Sequence, residues 1–215
     1  NASFILRKGG TLGDLYTNID LNRDANGDIL IDRNGNISRD NNIGYRFLGS
    51  VFPTANMGWN NTFNFFGVQV GFLISARIGG IVYSATQAYL ENFGVAETTA
   101  VARDNGGIHL GRFTIPAQNY YTVIGSQNGI PQFYTYDATN VRLQEAHIGY
   151  TIPRKVLGNV CDLNISVIGR NLWMIYCKAP FDPESVASAG NYYQGIDYFM
   201  LPSTRNVGLS LRLTF

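Results

Sequence analysis

Hydrophobic and polar residues alternate strictly in several stretches of the 215-residue chain, most plainly in its last ten, NVGLSLRLTF. Val207, Leu209, Leu211, Leu213 and Phe215 fall on one face of an extended strand; Asn206, Gly208, Ser210, Arg212 and Thr214 fall on the other. The same period recurs at 12–19, which reads as a short or partial strand, and at 57–65, 68–79, 141–152 and 162–174, which with 204–215 predicts six strands. In 68–79, Val68, Val70, Phe72, Ile74, Ala76 and Ile78 oppose Gln69, Gly71, Ser75 and Arg77, with Leu73 the exception. Trp59, Phe63 and Phe65 oppose Asn60, Thr62 and Asn64. Ile148, Tyr150 and Ile152 oppose Glu145, His147 and Thr151, and Leu163, Ile165 and Val167 oppose Asn164, Ser166 and Arg170. Several stretches reach about a dozen residues, against the usual 5–6 of soluble strands. That length suffices for a tilted membrane crossing of about 9–11 residues.

The links between the stretches alternate too. Two residues, FG, join 65 to 68, and a short Pro-led segment joins 152 to 162, whereas 20–56, 80–140 and 175–203 are long and rich in Gly, Asn, Asp and Tyr. In an up-and-down meander this gathers the long loops at one end and the short turns at the other, the pattern of outer-membrane barrels. The fold class expected is all-β: antiparallel strands of a large transmembrane β-barrel with long extracellular loops. Six strands cannot close a barrel, since the smallest single-chain barrels have eight. Residues 1–215 are therefore expected to be one C-terminal arc of a barrel, without its earlier strands. The alternative from another class is a soluble, secreted, carbohydrate-binding β-sandwich. It would bury Val68, Val70, Phe72, Leu209 and Leu211 in a protein core.

Composition supports the β reading. Charged residues make up only 14% and aromatics 13%, with 24 glycines, whereas soluble domains carry about 25% charged residues. A net charge of +1 offers no electrostatic case for nucleic acid. No run approaches the roughly 18 apolar residues of a spanning helix. The chain starts at Asn1 without a secretory signal, as expected of a processed or excised piece. A single strand over 162–174 at about 3.3 Å per residue would hold Cys161 and Cys177 roughly 45 Å apart. A disulfide spans at most about 7 Å, so two free thiols are expected.

Candidate chemistry is sparse. DLNRDANGDILIDRNG (20–35) is dense in oxygen ligands, with Asp20, Asn22, Asp24 and Asp28 as calcium candidates in an irregular loop. An EF-hand frame from Asn22 fails at its twelfth position, where Arg33 would repel a cation; Asx turns in a solvated loop are the competing account. His109 and His147 stand on different segments, the latter beside Glu145 on the expected lumen face. Neither GxSxG nor HExxH occurs, and no cofactor or catalytic site is expected. Asp182-Pro183-Glu184 reads as a turn opening the last long loop. Aromatics crowd the loops, notably Tyr134, Tyr136, Tyr192, Tyr193 and Tyr198, with Tyr120, Tyr121, Phe133 and Phe199. Their flat rings with polar tips suit contact with a sugar, a peptide or a partner protein, and equally suit packing of loop on loop.

Four motifs in order carry a resemblance. GYRFLGSVFPTANMGWNNTFNFFGVQVGFLISARIGG, ATNVRLQEAHIGYTIP, ISVIGRNLWMIYCKAPFDPE and GIDYFMLPSTRNVGLSLRLTF resemble the C-terminal region of SusC/RagA-family TonB-dependent transporters. The resemblance covers most of the chain. It implies a barrel of about 22 strands in the outer membrane of a Bacteroidetes-like bacterium, filled by an N-terminal plug. It also implies a TonB box engaging the inner-membrane energy-transducing complex, and a SusD-like surface lipoprotein helping to capture glycans or peptides. Neither plug nor TonB box lies in these 215 residues. Leu209, Leu211, Leu213 and the terminal Phe215 resemble the signal that barrel-assembly machinery reads, with the C-terminus periplasmic.

Overall fold

Five of the alternating stretches pair into one antiparallel sheet. The computed structural model describes residues 2–127, 129–188, 190 and 194–215, which cluster into two units. The first of these comprises Pro53–Gly79, Ala138–Ser185 and Leu201–Phe215. Its strands are Ala55–Phe65, Val68–Ile78, Asn140–Ile152, Asp162–Cys177 and Asn206–Thr214. Each pairs with its neighbour in sequence, so the sheet is a simple meander. The expected strand over 12–19 is not in it. Residues Asp14–Thr17 are buried at all four positions in a small separate sheet. The arc therefore has five strands rather than six, and 20–56 does not link two of its neighbours.

The meander keeps its short links at one end and its long ones at the other. Phe66 and Gly67 form the two-residue turn, both at positive φ (50° and 82°), as a type I′ hairpin requires. At the next turn, Asp162 accepts from the Arg154 N–H at 2.6 Å and pairs with its guanidinium at 3.1 Å. Loops 79–139 and 178–205 leave from the opposite end. The free thiols of Cys161 and Cys177 flank the sixteen-residue fourth strand, one at each end.

Strict alternation fails between Leu143 and Ala146, and the register shows why. Ala146 stands opposite Phe72 and Leu143 opposite Ile74, with Gln144 as an extra residue. This β-bulge shifts the parity, so that Val141 and Leu143 share a face with Ala146, Ile148 and Tyr150. A matching irregularity on the fourth strand falls between Arg170 and Trp173, where Asn171 takes φ +52°.

The second unit comprises residues up to Phe52, Gly80–Asp137 and Val186–Met200. It is mixed, with three two-turn helices, Ala85–Asn92, Glu97–Asp104 and Ala117–Ile124, among short strands. Leu21, Ile37, Ile115, Ile124, Ile130 and Tyr134 form the heart of its buried core. Ser84 caps the first helix through the Gln87 N–H at 3.1 Å and donates to Asp197 at 2.6 Å. The stretch 23–37 folds as two successive tight loops of one design. Asp24 accepts from the N–H groups of Asn26 and Asp28, and Asp32 from those of Asn34 and Asn36. Gly27 (φ 91°) and Gly35 (φ 74°) close them in the left-handed region.

Candidate functional site

Residues directly opposite one another in a sheet share a face, and the register sorts the arc completely. Met57, Trp59, Phe63 and Phe65 lie beside Ala76, Ile74, Val70 and Val68. Leu143, Ile148 and Tyr150 continue those rows to Trp173, Val167 and Ile165. Leu209 and Leu211 complete them on the last strand. This face is apolar and open: Val207, Leu209, Leu211 and Leu213 are 55% to 74% exposed. A sandwich would cover it with a second sheet, and the unit contains one sheet only. Trp59 and Trp173 fall in one row across the sheet, and Phe63, Phe65 and Tyr150 lie toward the short-turn end.

The other face is polar and hollow. Gln69, Glu145, His147, Asn164, Ser210 and Arg212 line a recess of about 510 Å³. Glu145 accepts from Arg170 at 3.0 Å, and Asn164 donates to Thr151 at 2.9 Å. His147 faces Gly71 on the neighbouring strand. A methyl group on Gly71 would overlap the imidazole, so the ring lies across the strand only because that position has no side chain. His147 and Glu145 are thus on the lumen-type face that their alternation predicts.

At the long-loop end, the segments that carry the resemblance converge. Arg142 is buried (3% side-chain exposure), with Nη2 2.7 Å from Asp182 and 3.4 Å from Glu184. Its Nη1 donates to Asn171, which itself donates to the carbonyl of Thr204 at 3.3 Å. Asp182 also accepts from the Ser203 hydroxyl and the Glu184 N–H. Burial pushes the Asp182 carboxyl up, but the hydrogen bonds from Arg142, Ser203 and Glu184 outweigh it and hold the group below the usual carboxylate range. The expected Asp182-Pro183-Glu184 turn forms, closed by the Ser185 N–H on the Asp182 carbonyl at 3.1 Å. Asn171 gave no periodic signal. Its mark in the sequence is the break in alternation at Gly169-Arg170-Asn171-Leu172-Trp173.

Three of the four calcium candidates are occupied with protein contacts. Asp20 is buried and pairs with Arg46 at 2.9 Å, accepting also from Gln132; Asn22 donates to Ser38 at 2.8 Å; Asp24 is bound up in its own turn. Asp28 lines an open hollow with Arg23. Among the described residues no three His, Cys, Asp or Glu side chains gather as a metal site would require.

The loop aromatics divide. Tyr134 is a core residue, and its hydroxyl donates to buried Glu91 at 2.9 Å. Burial, with the Glu91 carboxylate beside it, pushes that hydroxyl's pKa far up. Tyr134 is thus closed to a ligand, contrary to the expectation for it. Tyr136 is half-buried opposite Val82. Tyr198 is exposed and edge-on to Phe199, whose ring also faces Tyr89 at 5.9 Å. Tyr192 and Tyr193 lie outside the described residues.

A polar, hollowed face backed by an exposed apolar one defines a class: a stretch of β-barrel wall. No described helix is long and apolar enough to cross one. Comparisons with known proteins make the class particular. The chain is 26% identical over 199 residues to TonB-dependent receptor P26 of Formosa agariphila, covering 89% of this chain and 19% of that protein. Its fold matches the RagAB peptide importer in the closed-closed state with a TM-score of 0.62 at 16% identity, over 95% of this chain and 24% of the other. The open-open state gives 0.59 at 15% identity, over 94% and 23%. No family model matches. In sequence and in fold the chain is similar to part of a TonB-dependent transporter of the SusC/RagA kind, as its four motifs indicate. It spans about a fifth of its curated relative and a quarter of the solved structures.

Proposed function

We propose that this chain is wall and loops of a TonB-dependent outer-membrane importer that takes up peptides or glycans with a SusD-like surface lipoprotein. The observation that carries the reading is the apolar face of the five-strand arc, half-buried on the second strand and exposed at Trp59, Phe63, Ile148, Trp173 and Leu209 on the others, with a polar hollow on the opposite face. An arc of this kind lines a passage and performs no chemistry on what passes. The arginine–carboxylate pairs of the arc, Arg142 with Asp182, Arg154 with Asp162 and Arg170 with Glu145, tie strand to loop or strand to strand.

In this reading the short turns face the periplasm, and loops 79–139 and 178–205 face the exterior. Coupling to the TonB complex is supplied by protein outside these 215 residues. Leu209, Leu211 and Leu213, on a strand at the sheet's edge among the described residues, and Phe215 just beyond it, are assigned to recognition by the barrel-assembly machinery. Support comes from the family resemblance and from the peptide importer's matching fold. The test is uptake of labelled peptides and oligosaccharides by cells that depend on the full-length protein. Uptake abolished by a protonophore supports the reading; uptake indifferent to both the protonophore and deletion of the gene overturns it.

A further inference from the structure

One hollow of the loop unit lies between two hairpins and has a charge imbalance. One side is the first tight loop, closed by the Arg23–Ile29 bridge; the other is the hairpin Ile108–Leu110 and Phe113–Ile115, turned at Gly111-Arg112. The hollow measures about 660 Å³, within the roughly 300–1,000 Å³ of ligand sites. Ile29 and Leu110 form an apolar floor and are themselves packed against the buried core. Around them stand Arg23, Arg112, His109 and Phe113, with Asp28 the one carboxylate.

Two of the polar groups, Arg23 and His109, are held in place. Arg23 donates from Nη1 to the Gly27 carbonyl at 2.9 Å, which orients the guanidinium and uses one of its five donors. His109 shares a hydrogen bond with Thr114 at 2.7 Å, directly opposite in the hairpin register. Among the described residues, neither Arg23 nor Arg112 lies within ion-pairing distance of a carboxylate, unlike Arg46, Arg142, Arg154 and Arg170. Two guanidiniums against Asp28 leave one surplus positive charge, which a single monoanionic group neutralises. Guanidinium forks match carboxylates in a planar, two-point geometry, and the exposed Phe113 ring offers an apolar flank.

We propose that this hollow binds the carboxylate of an imported ligand, with Arg23 and Arg112 on the oxygens and Phe113 against the adjoining apolar part. Two sources share that chemistry: the C-terminus of a peptide and the carboxylate of a uronic-acid sugar. The proposal rests on the importer reading and adds a ligand subsite to it.

The test uses the full-length, detergent-purified protein carrying this chain and calorimetric titration with two matched pairs. One pair is a neutral-side-chain pentapeptide as free acid and as C-terminal amide. The other is an oligogalacturonate and the neutral galactose oligomer of equal length. The expected result is an acid form at least about tenfold tighter than its neutral twin, the worth of one charge-assisted contact. The pair that shows the difference identifies the source. In the Arg23→Gln/Arg112→Gln double variant the ratio falls toward one. In Arg33→Gln, equally cationic but on the neighbouring tight loop outside the hollow, it stays, and all variants keep the wild-type thermal transition. Equal binding within both pairs, or a difference that survives the double variant, overturns the site. Uptake of the same probes separates the two readings. Energised uptake without acid preference leaves the importer standing and removes the subsite, whereas acid-selective binding without uptake keeps the subsite and removes the importer.

Discussion

The arc and the loop unit are built from the same residues turned in opposite directions. In the loop unit Ile115, Ile124 and Ile130 are buried and carboxylates such as Asp24 and Asp32 stand in water. In the arc Ile148, Leu209 and Trp59 are exposed, while Arg142 is buried at the loop end and Glu145 lines the hollow. Apolar surface stabilises wherever it leaves water, and either a protein core or a lipid chain supplies that environment. One fold rule with two solvents produces both regions. The difference teaches that mean composition says little here: opposite faces cancel in the hydropathy sum, and only the period of the pattern separates them.

The largest effect expected comes from the buried arginine. Arg142→Met strands Asp182 without its cation, at a cost of about 3–5 kcal/mol, read as early proteolysis of loop 178–205 and a lower thermal transition. Replacing both partners with apolar residues should recover most of the loss. Retention of full stability in the single variant would show that the cluster is ornamental.

Next come substitutions that reverse the two solvents. Leu209→Arg on the lipid-type face should cost about 2–4 kcal/mol in membrane-reconstituted protein, whereas Ser210→Arg, one residue along, costs under about 1. Ile115→Ala in the loop core should cost about 2–4 kcal/mol by leaving a cavity. Ile148→Ala should cost under about 1, because lipid fills the space. Urea titration of unfolding in bilayers ranks the four, and equal costs at Leu209 and Ser210 would erase the distinction between the faces.

Smaller effects sharpen the picture. Tyr134→Phe removes one donor from buried Glu91, which keeps its contacts with Gln87 and Thr98. About 1–2 kcal/mol should be lost from the loop unit. Acid should act at Asp182, whose pKa is lowered on folding. Its contribution is complete above the unfolded value near 3.9 and fades as pH falls through the lower folded value. Loop 178–205 should therefore stay protease-resistant at pH 5 and loosen only below about pH 4, and Asp182→Asn should remove that acid step.

Much of this was legible from period alone. The membrane faces of 57–65, 68–79 and 204–215 follow directly from alternation, and the short-turn, long-loop asymmetry follows from counting. Segment 12–19 misled because its two-residue period is common to any strand, and its burial on all sides depends on neighbours distant in sequence. The helices escaped because two turns among Gly and Asn leave too little apolar periodicity to recognise. Asp24 and Asp28 read as cation ligands from the density of oxygens, whereas the repeated Asp-x-Asn-Gly at 24–27 and 32–35 closes tight loops in which the Asp24 and Asp32 carboxylates accept from backbone N–H groups. Arg142, Asn171 and Asp182 are separated by 29 and 11 positions in the chain. Only pairing of the third and fourth strands brings them together.

The most direct measurement is accessibility along the last strand. Single cysteines at positions 206–212, in full-length protein with Cys161 and Cys177 replaced by serine, would carry a fluorophore in lipid bilayers. Quenching by a lipid-soluble and a water-soluble agent would then be compared site by site. The account predicts strict alternation, with 207, 209 and 211 quenched from lipid and 208, 210 and 212 from water. Uniform quenching from water, or protection of 207, 209 and 211 from both agents, would contradict it and place this face against protein.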